Sequence, residues 1–302
     1  MTSAPPPGDH GGDAPRLAAA LGIAPDAVLD LSASLNPCAP DVADLAARQV
    51  GALRRYPDDG SAVDAMAGAL GVDPARVLLT NGGAEAIALV AAELGAGWVD
   101  EPDFSLYARH LARLDPAAGR WRSNPHNPSG ALALPTECAA VWDEAFWPLA
   151  AGTWTRGDAD RGAVVVGSLT KVFACPGLRV GYVVAPDEAF AERVRGRRPL
   201  WSLNGLAAAL VPELVAGADL AGWAAAIEAL RAGLVGVLRT AGFEVQAADA
   251  PWVLVPAAGD LRDRLARRAI LVRDCASFGL AGTARIAVPA ESGLERLAAA
   301  LA

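Results

Sequence analysis

Two spacings of apolar residues alternate along the first half of the chain. Residues 15–21, 41–53 and 61–70 repeat apolar positions every three or four residues, which places them on one face of a helix. Residues 28–32, 77–80, 97–100, 141–143, 163–167 and 180–184 are short, apolar-rich runs suited to buried strands. The run 77–80 leads into Asn81-Gly82-Gly83 and then a strong helical pattern over 84–94. Strand, glycine turn and helix in that order leave free backbone N–H groups at a helix start, a good place for an anion. Strands alternating with helices over this length predict an α/β unit with a largely parallel sheet.

After Pro186 the pattern changes. Helical spacing runs through 188–197, 203–214 and 220–241, followed by strand-like runs at 243–245, 252–255, 270–273 and 284–287, with covering helices at 261–268 and 293–301. That predicts a second, smaller α+β unit. The start, with Pro5 to Pro7 and then His10-Gly11-Gly12, is too irregular for a helix and reads as an arm. The expected division is an arm over 1–35, a large domain over 36–187 and a small domain over 188–302.

Composition narrows the function. The chain has 302 residues, 53% of them hydrophobic, with 26 basic against 34 acidic side chains and a net charge of −8. Such a chain folds around a core, and its acidic balance argues against a broad nucleic-acid surface. Cys38, Cys138, Cys175 and Cys275 stand far apart without C-x-x-C spacing, so neither a disulfide framework nor a metal site is expected. Residues 1–7 lack the basic and apolar regions of a signal peptide, and apolar stretches are interrupted by charge or proline. These features predict a cytoplasmic protein with no membrane or nucleic-acid partner. The basic residues comprise 25 arginines and one lysine, Lys171.

That lysine lies in Ser168-Leu-Thr170-Lys171-Val-Phe-Ala-Cys-Pro-Gly-Leu-Arg179, directly after an apolar run. Lysine forms Schiff bases with carbonyl cofactors, and hydroxyls with an arginine nearby suit a dianionic phosphate. Here the sequence resembles the fold-type-I pyridoxal-phosphate enzymes, within them the group of threonine-phosphate decarboxylases and histidinol-phosphate aminotransferases. The likeness runs from about His10 to Val288 through motifs in a fixed order: Asn81-Gly82-Gly83-Ala84-Glu85, Glu101-Pro-Asp-Phe104-Ser-Leu-Tyr107, Asn124-Pro-His-Asn127-Pro-Ser-Gly130 and Trp142-Asp143-Glu-Ala-Phe146.

The resemblance implies a mostly parallel central sheet with helices on both faces, a small α+β C-terminal domain and pyridoxal 5'-phosphate as cofactor. It implies that Gly82, Gly83, Ala84, Ser168, Thr170 and Arg179 hold the cofactor phosphate. Phe104, or as second choice Tyr107, would stack on the ring, Asn127 would bond its phenolic oxygen, Asp143 would pair with its nitrogen, and Lys171 would carry it. Arg285 would grip a substrate carboxylate and Arg273 a distal phosphate, with His10, Ser34 and Asn36 in the region that closes over the substrate. Tyr56 would cross to the neighbouring subunit's phosphate in a homodimer.

The same resemblance leaves the reaction open. Phe146 stands where many aminotransferases of this fold carry a tyrosine, which with His10-Gly-Gly tilts the reading toward decarboxylation of O-phospho-L-threonine for the aminopropanol arm of cobalamin. An aminotransferase of the histidinol-phosphate type, an enzyme on another amino acid in secondary metabolism, and a catalytically silent binding protein are the alternatives. Tyr107, Asn127 and Asp143 stand closer together than is usual in the family, so a trimmed large domain is expected, its sheet short of a strand and its cleft more open.

Overall fold

The computed structural model describes residues 5–8 and 10–302; residues 1–4 and 9 of the expected arm lie outside them. The strands, in chain order, are β1 (Leu29–Leu31), β2 (Val77–Asn81), β3 (Ala96–Val99), β4 (Arg113–Leu114), β5 (Arg120–Ser123), β6 (Val141–Asp143), β7 (Val164–Ser168), β8 (Val180–Val184), β9 (Gln246–Ala247), β10 (Trp252–Val255), β11 (Ile270–Asp274) and β12 (Ala284–Ala287). They form two sheets. The larger has the order β2-β8-β7-β6-β5-β3-β4, the smaller β1-β11-β12-β10-β9. In the larger sheet β8 runs antiparallel to both neighbours and every other pair is parallel.

Apolar runs made these strands because both faces of the sheet are covered. Leu79, Val165, Val180 and Tyr182 face one core, shared with helices Gly60–Leu70 and Gly205–Ala216. Leu78, Val164, Val166 and Val183 face the other, packed by helices Gly82–Leu94 and Glu188–Arg195. The smaller sheet has its own core, which includes Leu31, Val253, Val272, Ile286 and Leu297.

Three boundaries differ from the sequence reading. Helices Glu188–Arg195 and Gly205–Ala216 pack on the large sheet, so the large unit does not end at 187. The division falls inside helix Leu220–Thr240, whose Leu220 and Trp223 join the large core while Leu234 and Leu238 join the small one. That helix has the length and hydropathy of a membrane span, but these side chains are buried in protein. The segment 1–35 is not separate either, because β1 pairs in parallel with β11. The strand expected at 243–245 is β9, at Gln246–Ala247.

The large sheet is not short of strands, and one of its crossovers is bare. The interval from Tyr107 to Asn127 still holds β4 and β5, and the large sheet is seven-stranded. Between Ser123 and Val141, however, the chain passes from β5 to the adjacent parallel strand β6 with neither helix nor strand. Arg156 holds this bare crossover. Its Nη2 donates to the carbonyls of Leu134 (2.9 Å), Pro135 (3.2 Å) and Glu137 (3.3 Å). Its guanidinium also lies 4.9 Å from the Trp142 ring centroid, and Arg122, paired with Glu137, lies 5.8 Å from the same centroid.

Candidate active site

Ser123, Asp143 and Ser168 are the last residues of β5, β6 and β7, three neighbouring parallel strands. Their carboxyl ends open on a cavity of about 270 Å³, the usual place for a ligand in such a sheet. Lys171 enters it from the short helix Leu169–Val172 that follows β7, and its Nζ donates to the Ala33 carbonyl at 3.1 Å. Burial, with Arg285 and Arg179 nearby, pulls this amine down to about 8.

At one end of the cavity, helix Gly82–Leu94 begins beside Ser168, Thr170 and Arg179. Gly82 has φ +78°, and a Cβ there would run into the Arg179 guanidinium, so only glycine allows this approach. Gly83 and Ala84 line the cavity at the start of this helix. Free N–H groups, two hydroxyls and a guanidinium around one space form a cradle for a dianion.

Asp143 sits deeper. Its Oδ2 accepts from the Tyr107 hydroxyl at 2.8 Å and its Oδ1 from the Ala145 N–H at 2.9 Å. Burial pushes its carboxyl up to about 6, the response of a buried acid that lacks a full cationic partner. Tyr107 is fully buried, and burial followed by the Asp143 charge raises its phenol, which keeps it a neutral donor. Phe104 lines the cavity between His10 (5.6 Å between centroids) and Tyr107 (5.7 Å).

The opposite wall comes from the small sheet. Arg273 of β11 and Arg285 of β12 are register partners, and both reach the cavity. Arg285 Nη1 donates to Asn127 Oδ1 at 2.6 Å, and its guanidinium lies 4.9 Å from the Trp252 ring. Arg273 donates to the Ser277 hydroxyl at 2.8 Å and the Gly8 carbonyl at 3.3 Å. His10 and Gly11 of the arm line the cavity; a Cβ on Gly11 would collide with the Ser32 carbonyl.

A profile of the family described as aminotransferase class I and II matches residues 103–301. The chain belongs to this family. A threonine-phosphate decarboxylase of Sinorhizobium sp. is 31% identical over 97% of this chain and 97% of its own. A histidinol-phosphate aminotransferase 2 of Methylococcus capsulatus is 29% identical, covering 91% of this chain and 89% of its own. The solved histidinol-phosphate aminotransferase of Sinorhizobium meliloti in complex with pyridoxal-5'-phosphate superposes with a TM-score of 0.81 at 20% identity, over 99% of this chain and 94% of that one.

Class I and II aminotransferase-like enzymes such as this one depend on pyridoxal phosphate. The residues fit it. The cradle at Gly83, Ala84, Ser168, Thr170 and Arg179 suits its phosphate, the desolvated Asp143 carboxylate suits a protonated ring nitrogen, and Lys171 lines the same cavity. Bound there, the cofactor supplies an electron sink for negative charge at an amino acid's Cα.

Most residues expected from the motifs line this one cavity, with four exceptions, the first being Gly82, which does not line it and packs against the Arg179 guanidinium. Ser34 and Asn36, expected near the substrate, do not line it; Ser32 and Ala33 do. Ser34 is fully buried at φ +48°, and Asn36 donates from Nδ2 to the Val172 carbonyl (2.8 Å), bracing the Lys171 helix. Tyr56 is 79% exposed, outside the cavity, and stacks on Trp201 at 4.6 Å. Motif reading did not select Ser123 or Phe278, both of which line the cavity. Ser123 carried a signal, since it directly precedes Asn124-Pro-His-Asn127. Phe278 carried none, because it arrives from a small-domain loop.

Proposed function

We propose that this chain decarboxylates O-phospho-L-threonine to aminopropanol phosphate, for the aminopropanol arm of cobalamin. The observation that carries this reading is the pair Arg273 and Arg285, cross-strand partners that face the cavity holding Lys171. O-Phosphothreonine presents a carboxylate and a phosphate on a short skeleton, and two fixed guanidinium groups match two anions. Histidinol phosphate has a phosphate but no carboxylate, and so offers one anion where two guanidinium groups face the cavity.

In this reading Arg285 grips the carboxylate from the small-sheet side and sets the bond to be broken across the cofactor ring. Lys171, held near 8, suits proton delivery to Cα after CO2 departs. Phe146 presents a ring 5.9 Å from the lysine nitrogen and no hydroxyl. The arm at His10 and Gly11 limits entry of water. A second reading, transamination, is supported by the Methylococcus capsulatus relative and uses the same lysine. Incubation with O-phosphothreonine separates them: CO2 release without any 2-oxo acid is expected, and turnover only when 2-oxoglutarate is added would sink the decarboxylase reading.

The functional unit in this proposal is a cytoplasmic homodimer. Val50, Leu53, Tyr56, Leu200 and Trp201 are exposed apolar side chains, and the Tyr56–Trp201 stack offers a second copy an aromatic surface. The four cysteines are unpaired, in keeping with a reducing compartment.

A further inference from the structure

Asp103 is a carboxylate with 3% exposure, placed directly after Glu101-Pro102 where the chain leaves β3. Nothing in the chemistry described above uses it, yet the bonds of its side chain lead to Phe104 and Ser123, both of which line the cavity. Its Oδ1 accepts from the Phe104 N–H at 2.7 Å and from the Ser123 hydroxyl at 2.5 Å, and its Oδ2 accepts from the Ser123 N–H at 3.0 Å. The Ser123 proton is thereby committed, so the oxygen is left to accept, and it does so from the Asn127 N–H at 2.7 Å. Asn127 in turn gives its side-chain carbonyl to Arg285. An amide whose oxygen is taken has only its NH2 to present elsewhere.

We propose that Asp103 and Ser123 are a pair of positioning residues: Asp103 aims the Ser123 hydroxyl, Ser123 fixes the Asn127 backbone, and Asn127 is thereby held with its amide donor toward the cofactor's ring oxygen. This rests on the pyridoxal-phosphate reading with Asn127 facing that oxygen. The pair ties the ends of β3 and β5 together directly behind the cavity, so the Phe104 backbone and the Asn127 loop are set by one carboxylate. Charge-assisted bonds of this length in a buried place hold geometry more tightly than neutral ones.

The test uses the cofactor-loaded protein and reads the pH midpoint at which its visible absorption band changes. A donor on the ring oxygen stabilises the deprotonated form of the lysine-bound cofactor, so losing it raises the midpoint. Ser123→Ala is expected to raise the midpoint by about half a unit or more, and Ser123→Thr, which restores a hydroxyl, to return it toward wild type. In an Asn127→Ala background Ser123→Ala should add nothing. Ser123→Cys, with a weaker acceptor of similar size, should give an intermediate shift if the alanine variant does not fold. Asp103→Asn combined with Ser123→Ala should cost no more in kcat/KM than the worse single change. An unmoved midpoint in the serine variants, equal shifts with and without Asn127, or additive losses in kcat/KM would overturn the proposal. Failure of the cofactor reading itself would look different, since wild type would then show no band.

Discussion

Lys171 occupies the position where arginine, used 25 times elsewhere, has no chemical equivalent. A guanidinium that keeps its proton cannot form or exchange a Schiff base. Lys171→Arg should therefore leave the fold intact, abolish the visible band of the purified protein and lower turnover by about a thousandfold or more, as loss of a proton-transferring group does. Asp143 makes a prediction about pH. Its carboxyl stands at about 6 in the folded chain against an ordinary 3.8, so between those values the cofactor-free folded state binds more protons than the unfolded one. Stability contributed this way is full below the lower value and lost as pH rises through the upper one. Thermal melts of the cofactor-free protein between pH 4 and 6 should fall less steeply for Asp143→Asn than for wild type. Gly82→Ala combines a strained positive φ with a collision on Arg179; it should cost about 1–3 kcal/mol in denaturant melts and weaken cofactor retention, measured by dialysis.

Among the elements, those legible in the sequence were the ones buried on both faces. Runs such as 77–80, 163–167 and 180–184 have no polar side and emerged as β2, β7 and β8. The strand β5 was not legible, because Arg120-Trp-Arg-Ser123 alternates charge with aromatic residues; Arg122 is nonetheless buried, against Trp142. The cavity residues on the large sheet were readable because strand-end motifs lie in fixed order. Ser34 and Asn36 were misplaced because a loop's sequence does not reveal which way it folds. The crossover after β5 was legible in its Asn124-to-Gly130 motif and its shortness, but the way residues 134–137 are held was not, since that depends on Arg156, a residue outside the crossover. Arg156→Ala should strip donors from three carbonyls and remove the ion pair with Asp158, while the bond from the residue 156 backbone N–H to Glu144 stays. A loss of about 3 kcal/mol in chemical denaturation is expected, larger than any surface arginine gives.

The whole molecule is built on two sheets, each with its own packing, and a cavity walled by both. Arg273 and Arg285 come from the side of the smaller sheet and Lys171 and Asp143 from that of the larger, so the seam between them runs through the substrate's place. The proposed dimer adds a second copy at the exposed Tyr56 and Trp201. Light scattering should give twice the chain mass for wild type, and Tyr56→Ala with Trp201→Ala should shift it toward one chain and reduce cofactor retention. The strand β1 carries a consequence for biosynthesis. Leu29 pairs with Ile270, roughly 240 positions later, so the segment around β1 has no sheet to join until β11 has left the ribosome. The large sheet, complete by Val184, can assemble during translation, while His10 and Gly11 reach their place only afterward. The roof of the active site is therefore synthesised well before the strand that seats it, and a nascent chain stalled before β11 should be open to cofactor but unable to enclose a substrate.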